Sequence, residues 1–176
     1  MMGVELRNAQ RRIRLDSGRF KQVAEKLLEA VGRSESELSI LLTDDRRMAK
    51  LHERWMGEPG PTDVLSFPMR DVIASDRESK PCRERSNLVL KTRLLRRPCG
   101  PPRNDESERP QLLGDIAISV ETARRRGKGK LFEEMTRYLI HGLLHLIGHD
   151  HATKRERQGM NRQARRLWRE VVDGMA

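Results

Sequence analysis

Residues 141–151 read His-Gly-Leu-Leu-His-Leu-Ile-Gly-His-Asp-His, and they restrict the fold of this chain more than any other stretch. Four of the chain's five histidines fall in these eleven positions. His141 and His145 are four residues apart, so on a helix they stand one turn apart on the same face. Phe132, Met135, Leu139, Leu143 and Leu146 carry a helical apolar stripe through the same region, which predicts a helix over 131–147. Gly148 is placed to take a left-handed conformation and end that helix. The chain then turns back and delivers another histidine to the point that His141 and His145 already face.

Spacing selects which histidine that is. Metzincin proteases place three zinc ligands as H-E-x-x-H-x-x-G-x-x-H. Overlaid on this chain, His145 is followed by Gly148 three residues on and by His151 six residues on. The expected metal ligands are therefore His141, His145 and His151, with His149 beside the site rather than in it. Three neutral imidazoles with an open fourth position are the ligand set of a catalytic zinc, whereas a structural zinc is closed by four protein ligands. The departure from the protease pattern is equally informative. Position 142 is glycine where zincin proteases hold their general-base glutamate. A metal can still acidify water and polarise a phosphoryl oxygen without that group, so phosphodiester cleavage fits better than peptide cleavage.

Charge points the same way. The chain has 36 basic and 26 acidic residues, a formal net charge of +10, which favours a polyanionic partner, nucleic acid above all. The excess is not uniform: residues 1–69 carry 12 basic and 11 acidic groups, and residues 111–176 carry 13 and 8. Arg124, Arg125, Arg126, Lys128 and Lys130 form the densest basic run, read as a flexible loop ahead of the histidine helix and as a candidate RNA contact. Only six aromatics are present, so backbone and shape recognition is expected more than base stacking. No run approaches the ~20 apolar residues of a spanning helix, and the N-terminus lacks the apolar core of a secretion signal. Two cysteines, Cys82 and Cys99, are too few for a disulfide framework and suit a reducing, cytoplasmic setting as free thiols.

The remaining chain reads as an α+β domain. Val4 and Leu6 suggest a short first strand, Leu38–Thr43 a second, Asp63–Phe67 a third and Leu112–Val120 a fourth. Helical spacing covers Ser17–Val31, with Asp16 or Ser17 as cap, and a second helix is expected after Thr43 as its N-cap. A last helix is expected over Lys154–Val172. The expectation is one domain over residues 1–176, built on a small mixed sheet of about four strands, with the metal site at the end of a central helix. Residues 70–110 hold five of the eight prolines and 18 charged residues, and read as a basic, Pro-rich insertion between two strands.

Three separate segments, PTDVLSFP at 61–68, LLGDIAIS at 112–119 and HGLLHLIGHDH at 141–151, together resemble the YbeY family of bacterial metallo-endoribonucleases. The resemblance covers most of residues 1–69 and 111–172. It implies an α+β fold and one zinc ion per chain on three histidines, which by position are His141, His145 and His151. It also implies single-strand endoribonuclease activity in the cytoplasm, in maturation of the 16S rRNA 3′ end and in ribosome quality control, with ribosomal RNA and ribosomal particles as partners. Some members carry an arginine just before the glycine that precedes TDVLSFP; here Met56 stands there and Arg54 lies two residues earlier. Asp150 is a candidate proton acceptor or orienter of a ligand imidazole, and equally a turn residue at the helix end. Ser66 and Asp115 lie in the family-like strands as candidate cleft residues. The competing classes are a zinc peptidase, set back by Gly142, and a non-catalytic ribosome-assembly factor with a structural zinc.

Overall fold

The computed structural model describes residues 3–69 and 112–175. Four strands form one mixed sheet in the order β1-β2-β4-β3: β1 (Val4–Asn8), β2 (Glu37–Thr43), β3 (Val64–Pro68) and β4 (Leu112–Ser119). β1 and β4 both run parallel to β2, and β3 runs antiparallel to β4. The parallel pairs need crossover connections, which are supplied by α1 (Ser17–Ala30) between β1 and β2, and by the long excursion through α2 (Asp45–Met56) and β3 between β2 and β4. The reading of 70–110 as an insertion, with Cys82 and Cys99, lies outside the described residues.

Alternation along the strands sorts the two faces of the sheet. Val4, Leu38, Ile40, Leu42, Ile116 and Ile118 enter one continuous core with Phe20, Val23, Leu27 and Leu28 of α1 and with Met135, Leu139 and Leu143 of α4 (Leu131–Leu146). Phe20 and Phe132 meet edge to face at 5.9 Å between ring centroids, joining the two helices. The other face is smaller: Met48 of α2 packs on Leu65 and Ala117, flanked by Leu41, Leu51 and Phe67. A helix rich in apolar residues is thus sandwiched on the core face, and its polar C-terminal end emerges at the surface.

Three sequence expectations shift. Thr43 does not cap α2, because it stays in the β-ladder opposite Ser119; the cap is Asp44, whose carboxylate accepts from the Arg47 N–H at 2.8 Å. Strand β4 stops at Ser119, one residue short of the expected Val120, and Ser119 caps a short helix, α3 (Val120–Arg126), whose last three residues the sequence places in a loop. Arg124, Arg125 and Arg126 are its last turn, and cations there complement the helix dipole. The final helix is α5 (Lys154–Leu167), continued by a π-helical turn at Trp168–Val172 rather than by regular α-helix.

Candidate metal centre

The C-terminal end of α4 is built to turn the chain back. Gly148 has φ +91°, a conformation that costs an L-residue with a side chain about 1–2 kcal/mol. Its N–H bonds the His145 carbonyl at 3.1 Å, and the His149 N–H bonds the Leu144 carbonyl at 2.9 Å. That pair of bonds is the Schellman arrangement, which satisfies carbonyls the helix would leave open. The reversal carries Asp150 and His151 back toward the last turn of α4.

Three imidazoles converge there. The Nε2 atoms of His141 and His145 are 3.3 Å apart, and one ring nitrogen from each of His141, His145 and His151 lies within 4.8 Å of the others. The His141 and His151 rings are nearly parallel at 5.7 Å, and the His145 ring stands edge-on to both, at 4.7 and 5.1 Å. Two imidazole nitrogens bound about 2.1 Å from one tetrahedral ion stand about 3.4 Å apart, so the observed 3.3 Å fits a shared ligand site. Protonation is disfavoured: desolvation, then the charges of His145 and His151, hold His141 below the ordinary histidine range. Desolvation and His151 do the same for His145. Metal binding requires neutral imidazoles. Among the described residues no fourth His, Cys, Asp or Glu joins the three.

Gly142, one residue on from His141, faces the sheet. A Cβ there would stand 3.2 Å from Ile116 Cγ2 and 3.3 Å from Val64 Cγ2. The glycine lets α4 lie close on β3 and β4 at the level of His141. It also explains the missing glutamate, since a side chain at this position points into the core.

The other sequence-selected residues divide. Asp150 accepts a hydrogen bond from the His151 N–H at 2.6 Å, as a turn residue does, and its charge bears on His145. His149 stays outside the cluster. Ser66 shares the α4-facing side of β3 with Val64, whereas Asp115 lies on the opposite face of the sheet from α4. Burial pushes the Asp115 carboxyl up, against a hydrogen bond from Ser39, and the Glu5 charge pushes it further. Met56 is exposed at the end of α2, and the Arg54 guanidinium lies 5.7 Å from the Trp55 ring.

In the basic run, Arg125 pairs with Asp45, Arg126 with Asp63 at 2.6 Å and Lys130 with Glu133 at 3.3 Å. Arg124 and Lys128 are exposed and have no carboxylate partner among the described residues. Sequence reasoning passed over Asp63. Its Oδ1 accepts from Thr62 Oγ1 and the Val64 N–H, its Oδ2 takes Arg126, and its negative charge acts on His141. The signal was its place in the TDV tripeptide beside a strand that packs on Gly142. A cleft of about 420 Å³ lined by Arg14, Lys130, Phe132 and Glu133 opens at the N-terminal end of α4. His141 stands ten residues further along α4 than Leu131, about 15 Å along the helix axis, so that cleft is not at the histidines.

Comparison with known proteins gives a consistent result. A family model described as Endoribonuclease YbeY matches residues 5–172. An Endoribonuclease YbeY of Thermobifida fusca (strain YX) is 37% identical over 149 residues, covering 82% of this chain and 79% of the relative. One from Anaeromyxobacter sp. (strain Fw109-5) is 34% identical over 171 residues, covering 96% and 71%. One from Beutenbergia cavernae is 33% identical over 159 residues, covering 88% of both chains.

Proposed function

Because this chain belongs to the YbeY family of endoribonucleases, we propose that it cleaves single-stranded ribosomal RNA with a zinc ion held by His141, His145 and His151. RNA cleavage and a part in rRNA processing come with the family. The finer reading, maturation of the 16S 3′ end and surveillance of ribosomal particles in the cytoplasm, is the one we adopt. Its physical support is the net charge of +10, which suits a polyanionic partner.

The observation that carries the metal assignment is the convergence of three imidazoles with no fourth protein ligand among the described residues. A zinc ion supplies Lewis acidity toward phosphoryl oxygens and brings the acidity of water toward neutral pH. The protein's own contribution is positional. The Gly148 reversal fixes His151 against the helix, and Gly142 seats His141 firmly on the sheet. Arg124 and Lys128, unpaired beside the paired Arg125, Arg126 and Lys130, offer charge to the backbone phosphates. Asp150, whose charge acts on His145, is the candidate to accept a proton.

Purified protein is expected to bind one zinc per chain and to cut single-stranded rRNA fragments in a chelator-sensitive manner. His145→Ala should lose both metal and cleavage. Equal cleavage by the wild-type and His145→Ala proteins would show a contaminating nuclease and return the chain to an assembly role with a structural metal.

A further inference from the structure

Helix α5 begins three residues after His151, and the charge on its solvent face is almost wholly positive. Between Lys154 and Arg169 stand seven basic residues and one carboxylate, Glu156, and all seven cations are exposed. Met160 and Leu167 bury the opposite face. Arg155, Arg162 and Arg166, at i, i+7 and i+11, form one stripe along the outside.

Several exposed arginines elsewhere in the protein are tied down. Arg12 pairs with Glu121, Arg125 with Asp45, Arg126 with Asp63 and Arg137 with both Glu133 and Glu134. On α5 the pattern reverses. Glu156 is committed to a capping box with Thr153, and only Arg166 reaches a carboxylate, Glu170 at 3.5 Å. Lys154, Arg155, Arg157, Arg162 and Arg165 have no carboxylate partner among the described residues. Arg162, Arg165, Arg166 and Arg169 are moreover spaced three and four apart, where like charges repel on a helix. A helix face that carries this repulsion without carboxylates to offset it is matched to an external polyanion.

Position narrows the polyanion. The chain from His151 to Arg155 spans at most about 14 Å, and the stripe from Arg155 to Arg166 runs about 16 Å further. The stripe thus begins within that reach of the metal centre and runs back along α4, whose Arg137 meets Trp168 at the far end. Trp168, the one aromatic in this region, is half-buried and covered by Arg137 at 5.0 Å, so base stacking is not on offer. We propose that the outer face of α5 is a track for the phosphodiester backbone of RNA, holding the strand on one side of the metal centre without reading its sequence. The proposal rests on the nuclease reading only in taking the bound strand to be the substrate.

The test is the salt dependence of binding to a 20-nucleotide, 2′-O-methylated single-stranded RNA, measured by fluorescence anisotropy on the metal-loaded protein. The triple variant Arg155→Gln, Arg162→Gln, Arg165→Gln removes three candidate phosphate contacts. Its log–log salt slope should be shallower by about 2, from about 0.7 per contact on a single strand. A control triple, Lys21→Gln, Lys26→Gln, Lys50→Gln, removes the same charge from α1 and α2 and should leave the slope near the wild-type value. Circular dichroism checks that both remain folded. An unchanged slope in the α5 variant overturns the proposal, as it would be if this face met an acidic protein; so does an equal fall in the control. Cleavage of an unmodified 20-mer is scored separately. Wild-type protein that binds with the α5-dependent slope but does not cut would retire the nuclease reading and keep the track.

Discussion

Asp45 shows how much of this protein's electrostatics is structural. Its carboxylate accepts from Ser119 Oγ at 2.5 Å, from Thr122 Oγ1 at 2.7 Å and from Arg125. Burial pushes its pKa up, but the hydrogen bonds from Ser119, Arg125 and Thr122 outweigh burial and hold it below the ordinary 3.8. A carboxylate with a depressed folded pKa adds stability that is complete above the unfolded value and is lost as pH falls through the folded one. Asp45→Asn should therefore cost roughly 1.5–3 kcal/mol near neutral pH. The gap from wild type should narrow below about pH 3.8. Urea melts at pH 7 and pH 3 measure both numbers, and a gap that is constant with pH would remove Asp45 as a charged hub. Gly142 makes a second residue-scale case. Gly142→Glu restores the protease pattern on paper but drives a carboxylate into Ile116 and Val64. Burying an unpaired charge and overpacking together should cost more than about 3 kcal/mol. The variant should melt early and show no peptidase activity; a stable protein with peptidase activity would overturn the account of position 142.

At the scale of elements, α4 was the most legible part of the chain. Its apolar stripe, the i,i+4 histidines and the glycine stop are all local signals, and local signals survive folding when tertiary packing agrees with them. The three-histidine cluster followed from the same signals plus one turn of backbone. What stayed hidden has a physical reason. α3 is only seven residues, Val120–Arg126, and four of them are charged, so its apolar periodicity is too short to read. Its N-cap, Ser119, is also the end of β4, and two roles on one residue blur both boundaries. Asp63 escaped because its importance comes from Arg126 on a distant helix, a pairing no spacing rule contains. The Gly148 turn allows a test at this scale. Gly148→Ala must hold φ +91° against its Cβ, which should cost about 1–2 kcal/mol. Because the strain relaxes by moving His151, zinc affinity measured against a competing chelator should fall alongside stability. Lost stability with unchanged affinity would uncouple the reversal from the metal centre.

At the scale of the molecule, the basic side chains among the described residues include two populations with different work. One is internal fastening: Arg125 joins α3 to α2 through Asp45, and Arg126 joins α3 to the start of β3 through Asp63. The other faces outward with no carboxylate among the described residues, as at Arg124 and Lys128. The sequence shows both as one basic run, because charge composition does not reveal which carboxylate a guanidinium will find. The two populations should separate cleanly by experiment. Arg125→Gln and Arg126→Gln should each lower stability by up to about 1 kcal/mol, the range of pairs with one exposed partner. They should leave the salt dependence of RNA binding nearly unchanged. Arg124→Gln with Lys128→Gln should do the reverse, holding the melting temperature while making the log–log slope shallower by about 1.4. If all four substitutions moved the slope equally, the fastened arginines would be leaving their carboxylates for RNA. Binding would then loosen the joint between α3, α2 and β3, and RNA should speed amide exchange in α3 rather than protect it.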